Sequence, residues 1–425
     1  MEDQTAFTFK TDSGEERSIN SKDLIAVIPS SDESLSTIIY VQHDEKDDTV
    51  PPNTVIVKGD AEPNVQPQDT SDEETHIIVS TGSGTNKAKS FYEQALRPVL
   101  ETLFPKGYTN FLTHYTESAT TIQELTNDIF FPTANAGITL RIILLAGDGG
   151  VIDLANGLLS RRTSSDYKAP QVVLVPLGTA NALYHSINAG KDNTWGLRAL
   201  TSTRTKPLPI LSATFSPGAR LLTNEGNDEE ELSKDGESGQ PILHGAVVCS
   251  WAMHATLVAD SDTTAYRKYG IDRFKMAAKE ALYPADGSPP HAYRGTVSVL
   301  HASRWTPLIE EEHMYVLATM VSNLEKLFCI SPNSEPLDGS MALVQFAPMS
   351  GDEAMRIMGL AYQGGKHVED LAVRYEEIDG LKIEFKEKEG RWRRVCVDGK
   401  IVKVEEGGWV GVRKEERRVL DVVVG

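Results

Sequence analysis

The chain has 425 residues, 40% of them hydrophobic, and its 42 Lys and Arg against 61 Asp and Glu give a net charge of −19. That length exceeds one ordinary hydrophobic core, so two domains are expected, and the acidity argues against nucleic acid as a partner because such binding needs a basic surface. Three widely spaced cysteines, Cys249, Cys329 and Cys396, make neither a disulfide framework nor a CxxC metal site.

The acidity is local. Residues 1–75 hold 18 acids and 5 bases, residues 224–239 hold 7 acids and 1 base, and the remaining 334 residues carry 36 of each. The opening MEDQTAFTFK has neither a basic n-region nor an apolar h-region. No later apolar run approaches the ~20 residues that span a bilayer, so a soluble cytoplasmic protein is expected. In chain order, LIAVIP and STIIYV predict a small β element within a segment over 1–58. Residues 59–75, rich in Pro, Asp and Glu, are expected as a linker, and the acidic run 224–239 as a disordered insert. From His76 to about residue 210, strands and helices alternate: HIIVS, a helix through KAKSFYEQALRPVLETLF, GYTNFLTHYT, a helix near TIQELTND, RIILLA, a helix through VIDLANGLLS, then QVVLVP. Continuous apolar strands in this order predict a parallel, Rossmann-like sheet covered on both faces. From 211 to 425, short β-branched and aromatic runs separated by Gly, Pro, Asn and Asp predict a mostly antiparallel β domain.

Three glycine-bearing turns follow three of these strands. In STGSGTNKA (80–88), small residues let backbone N–H groups approach an anion, and the next helix adds its dipole; alternatively the turn only connects elements. AGDGG (146–150) places Asp148 at the carboxyl end of a buried strand. There it could accept a proton from a hydroxyl, or simply cap the next helix. Asp153 lies one turn further along. PLGTAN (176–181) offers Gly178 for close backbone approach and Thr179 and Asn181 for side-chain hydrogen bonds. Each turn is weak evidence alone, but three on one sheet converge on one crevice and favour a nucleotide. A Walker G-K-[ST] ending is absent, as is GxGxxG with an acid beyond it.

STGSGTNKA, AGDGGVIDLANGL and VPLGTANAL resemble the three nucleotide motifs of the diacylglycerol kinase catalytic superfamily, near NPxSGxxxA, GGDGTxxEVxNGL and PxGTGNDxA. Further along, Ser250-Trp251, Ala259-Asp260, YRKYG (266–270) and Arg273-Phe274 are similar to the sphingosine kinase stretch AWGFxADVDxESEKYRRLGExRF. Leu337-Asp338-Gly339 and Val397-Asp398-Gly399-Lys400 are similar to its late DG segments. The resemblance spans about residues 76–425 with its motifs in order. It implies an ATP- and Mg²⁺-dependent lipid kinase whose 211–425 region binds lipid and which associates peripherally and transiently with membrane.

Residue by residue, the resemblance makes Asp148 the general base on the lipid hydroxyl. It gives Ser80, Thr81, Gly82, Ser83, Gly84, Lys87, Thr116, Gly147, Gly149, Gly150, Asp153, Gly178, Thr179, Ala180, Asn181, Arg267, Arg273, Asp398 and Gly399 to ATP, and Asp260 to a sphingoid amine. Mg²⁺ is expected to be held mainly through the ATP phosphates. Without the resemblance, Arg267 and Arg273 read as a solvated helix face. The departures are Ser80-Thr81 for Asn-Pro, Gly150 for Thr or Leu, Asp153 for an acid one carbon longer, Ala180 for a Gly and hence a required negative φ there, Lys400 for the Glu of DGE, and a Trp251-to-Asp260 spacing two residues too long. A sphingoid base is the expected acceptor, with diacylglycerol or ceramide, an NAD-kinase-like soluble kinase, and a catalytically weak nucleotide-binding scaffold as alternatives.

Overall fold

The computed structural model describes residues 6–30, 34–47, 49–66, 73–188 and 190–425. Residues 67–72 of the expected linker lie outside them. The chain forms two compact units. One holds the residues up to Gly178 with Asn188–Pro207 and Val419–Gly425; the other holds Thr179–Ile187 and Leu208–Arg418.

The first unit is built on a six-stranded sheet in the spatial order Thr205–Pro207, Asp421–Val423, Gln171–Pro176, Leu140–Ala146, Glu74–Val79, Leu112–Tyr115. All are parallel except Thr205–Pro207. All seven residues of Leu140–Ala146 are buried, which is why this strand reads as an unbroken apolar run. The helix over 88–103 widens into a π turn at Tyr92–Leu96, and that over 121–135 does so at Thr126–Phe130. Each widening ends just before a proline, Pro98 or Pro132, which has no N–H for an i→i−4 bond, and the preceding N–H of Arg97 or Phe131 instead reaches five residues back.

Residues 24–59 form a three-stranded antiparallel sheet of Leu24–Pro29, Ser36–Gln42 and Asn53–Gly59. Its two faces are both buried: Leu24, Val27, Ile38 and Tyr40 pack around Phe9, while Ile25, Ile28, Ile39 and Val41 join Phe91, Leu96 and Val99 of the 88–103 helix in one core. Arg198 fastens this sheet by donating to the Leu24 and Ser21 carbonyls, each at 2.7 Å. Asn64 and Val65, within the expected linker, bond to the Val27 backbone.

Among the described residues, the second unit has two large antiparallel sheets beside the small pair Asn323–Glu325 and Phe328–Cys329. One runs Ile242–Gly245, Leu211–Phe215, Trp409–Lys414, Gly380–Phe385, Tyr293–His301, Arg304–Pro307. The other runs Asp228–Glu231, Arg220–Thr223, Lys400–Lys403, Arg394–Val397, Val248–Ala252, Tyr315–Thr319, Ala342–Phe346, Val373–Glu377. Phe215, Leu381, Ile383 and Val412 of one sheet and Trp251, Val316 and Val395 of the other share one core. Two expectations are corrected here. The run 224–239 is not a disordered insert: Asp228–Glu231 is a strand paired with Arg220–Thr223, two of its four carboxylates meeting cations, Lys403 on Glu229 (2.7 Å) and Arg220 on Glu231 (3.6 Å). Nor does the β-rich region run to residue 425, because Asp421–Val423 returns to the first unit and covers the edge of Gln171–Pro176.

Ala252 joins its strand to the helix Met253–Ser261 at φ 66° and ψ −137°, a conformation open mainly to glycine, and the resembled stretch has Gly after its Trp. Ala252→Gly is expected to raise stability by about 1 kcal/mol, the relieved strain outweighing the added chain entropy. Urea unfolding measures it, and a less stable variant would show that no strain is held there.

Candidate active site

Glu74–Val79, Leu112–Tyr115, Leu140–Ala146 and Gln171–Pro176 end at one edge of the first unit's sheet. The chain steps from Glu74–Val79 to Leu112–Tyr115 on one side, then crosses to Leu140–Ala146 on the other. Strand order therefore reverses between Glu74–Val79 and Leu140–Ala146, where open α/β sheets bind their ligands.

The turn after Glu74–Val79 is pinned on several sides. Ser80 N–H donates to Leu145 O (3.0 Å), and the Ser80 and Ser83 hydroxyls share a 2.6 Å bond. Thr81 N–H donates to Thr116 Oγ1 (2.9 Å) and Thr81 Oγ1 to Thr116 O (2.7 Å), which ties the turn to the segment following Leu112–Tyr115. Gly84, at φ +54°, is so close to the end of Gln171–Pro176 that a Cβ there would lie 2.6 Å from Leu177 O. Gly82 faces open space, leaving its backbone accessible. Lys87 leads into the helix, and its charge adds to the Thr49 hydrogen bonds that hold Asp47 below the usual carboxylate range.

After Leu140–Ala146, Gly147 is extended and Asp148 opens the helix Asp148–Leu159, with Gly150 N–H donating to Gly147 O (3.0 Å). Gly149 also faces open space, whereas a Cβ on Gly150 would lie 2.7 Å from Ala146 Cβ. Asp153 is half-buried one turn along the helix. In the third turn the positive φ falls on Asn181 (53°) and not on Ala180, so the alanine meets the condition set by sequence. The first unit thus gathers Ser80, Thr81, Gly82, Ser83, Gly84, Thr116, Gly147, Asp148, Gly149, Gly150 and Gly178 at one sheet edge.

In the second unit, Arg267 and Arg273 converge on a residue that sequence reasoning passed over. Asp262 accepts from Arg267 Nε (3.0 Å) and Nη2 (3.2 Å) and from Arg273 Nη1 (3.4 Å). This bond pushes the Arg267 guanidinium up, while burial pushes that of Arg273 down against the pull of Asp262. Asp398 and Gly399 form the tip of the hairpin between Arg394–Val397 and Lys400–Lys403, at φ 47° and 87°. The Asp398 carboxylate accepts from the N–H groups of Ala246 (2.6 Å), Val247 (3.0 Å) and Val248 (2.5 Å), so it braces the strand entry. Burial, with the Asp398 and Asp262 charges, pushes the Cys396 thiol up to about 12. Asp260 holds Arg391 and Arg394, each at 2.9 Å.

A pair of contacts on the buried His76 was also passed over: Glu74 Oε1 to His76 Nε2 and His76 Nδ1 to His114 Nε2, both 2.8 Å, with Glu74 and His114 partly exposed. Glu74 and His76 sit two apart on one strand and so share a face, which was the available signal. No group of three or more His, Cys, Asp or Glu side chains suited to a metal ion occurs among the described residues. No helix among them is long and apolar enough to cross a membrane.

Residues 74–213 match the model of the diacylglycerol kinase catalytic domain. No curated protein matches. Two solved chains from Bacillus anthracis str. Sterne share the fold. One, named a diacylglycerol kinase, is similar at 16% identity and a TM-score of 0.53, and the other, given that name provisionally, at 15% and 0.54. Each alignment covers 84% of this chain and 99% of the solved one.

Proposed function

We propose that this protein is an ATP-dependent lipid kinase that transfers the γ-phosphoryl group to the primary hydroxyl of a long-chain lipid alcohol. The observation that carries the reading is the convergence of glycine-bearing turns on one sheet edge, two of their glycines facing open space, with Asp148 at the start of the adjoining helix. Phosphoryl transfer asks little covalent chemistry of a protein; it needs aligned groups, neutralised charge and a base for the hydroxyl. The open backbone at Gly82 and Gly149 suits the close approach of phosphate oxygens, and the start of the helix Asp148–Leu159 adds a favourable dipole. Mg²⁺, when bound with ATP, neutralises phosphate charge. Asp148 takes the proton of the acceptor hydroxyl, and the Thr81–Thr116 pair keeps the first turn in place as substrates come and go.

The motif resemblance nominates a sphingoid base as acceptor, collected during peripheral contact of a cytoplasmic protein with a membrane surface. Transfer of labelled phosphate from Mg·ATP to sphingosine, phytosphingosine, ceramide, diacylglycerol and NAD, compared side by side, tests the proposal. Labelling of at least one lipid and none of NAD is expected; labelling of NAD alone would replace the lipid reading with that of a soluble kinase.

A further inference from the structure

The second unit contains a cavity of about 330 Å³ among the helices Met253–Ser261 and Asp272–Leu282, the 284–291 loop and the turn Gly390–Arg393. Its size falls at the small end of the range for small-molecule sites. Met253, Leu282, Met314, Tyr293 and Trp392 give it an apolar wall, and Tyr293 Oη turns its proton to Thr256 Oγ1 (2.7 Å). Trp392 is held from several sides. His291 stacks on it at 4.0 Å between ring centroids, Arg391 lies over the ring at 4.8 Å, and its carbonyl accepts from Trp251 Nε1 (2.8 Å).

Asp260 lies one helical turn beyond Thr256 and so on the same side of the helix. Its Oδ2 accepts from Arg391 Nη2 and its Oδ1 pairs with Arg394 Nη2, both at 2.9 Å, and Arg394 is only 14% exposed. A carboxylate bracketed by two guanidiniums belongs to a group of net charge +1, which repels a further cation instead of recruiting one. The two arginines flank Trp392 in sequence, so one carboxylate fixes both ends of the segment that supplies the aromatic wall.

We infer that Asp260 is a positioning residue which latches the Trp392 wall of this cavity, and that the cavity receives a long-chain alcohol by its apolar body without reading an ammonium group at position 260. The inference rests on the lipid-kinase reading for the alcohol, while the latch and the cavity stand on their own contacts. Two further carboxylates line the cavity, Glu280 accepting from Tyr266 Oη and Asp286 from Ser288 N–H (3.0 Å); neither bond places a cation on them, so the assignment concerns position 260 alone.

Binding of two pyrene-labelled lipids of equal chain length, one bearing a primary amine and one without, tests the latch through energy transfer from tryptophan in the full chain, with Trp392→Phe as the donor control. Asp260→Asn and Arg391→Gln are each expected to weaken both probes, by about five- to tenfold for the amine-free one, and Asp260→Glu to recover most of the loss. Loss confined to the amine-bearing probe would overturn the inference by making Asp260 its ammonium partner, and unchanged binding of both would overturn the latch. Because the readout is binding, absence of phosphoryl transfer to any lipid would count against the kinase reading alone.

Discussion

Asp148→Asn is expected to lower phosphoryl transfer to the preferred lipid by a factor of about 10²–10⁴, the usual contribution of a positioned general base, while nucleotide affinity stays within about threefold of the parent. Asn keeps the size and hydrogen-bonding capacity of the side chain at the start of the helix Asp148–Leu159, so the turn 146–150 and its Gly150-to-Gly147 bond are retained. What it loses is the capacity to accept a proton. Because this class of reaction is dominated by alignment and electrostatics, the remaining turns should sustain residual turnover. Single-turnover transfer and direct nucleotide titration on the same preparation separate the two effects. Full activity would remove Asp148 from the base role, and loss of nucleotide binding would mean that it serves the phosphates instead. Asp153→Asn is the companion measurement, since Asp153 lies on the same helix one turn away. A smaller loss is expected there, expressed in the KM for ATP.

The parallel sheet was legible because burial on both faces leaves a strong local mark: HIIV, RIILLA and QVVLVP are continuous apolar runs, and each ends in the turn that the structure brings to the sheet edge. The pairing of Asp421–Val423 with Gln171–Pro176 was not legible, since nothing in DVVVG distinguishes a strand of the nearer sheet from one some 250 residues away. The DEEE strand hid for the opposite reason. An edge strand has little to bury, and its support comes from Arg220 on the neighbouring hairpin strand and from Lys403, remote in sequence, charges that composition averages away. At the candidate site, motif spacing reached the turns and Asp148, and it reached Arg267 and Arg273. It missed Asp262, Arg391 and Arg394, because an ion pair is a relation between side chains that only the folded backbone brings together.

One departure from the resembled motif, Gly150 in place of Thr or Leu, is explained by its neighbour. The pattern GGDGT has Gly at its first position and a larger residue at its last; here the same positions are Ala146 and Gly150. A Cβ on Gly150 would lie 2.7 Å from the Ala146 methyl and 3.3 Å from Ile122 Cδ1, so the methyl has crossed from the helix to the strand and the shared space stays filled. Gly150→Thr alone is therefore expected to cost about 1–3 kcal/mol by overpacking a buried helix–strand contact. Ala146→Gly alone is expected to cost about 1 kcal/mol through the methyl-sized gap and the flexibility it adds to the strand. Combined, the two changes restore the pattern of the motif, the Ile122 methyl having only a few tenths of an ångström to yield. The double variant should then be more stable than Gly150→Thr, with a coupling of about 1–3 kcal/mol in the mutant cycle. Urea unfolding of the four proteins gives the coupling, and transfer rates should follow it, since Gly150 lies two residues from Asp148 and small displacements there misalign the base. Additive costs would mean that Ala146 does not occupy the space denied to residue 150, and Gly150 would then stand as an uncompensated departure in the 146–150 turn.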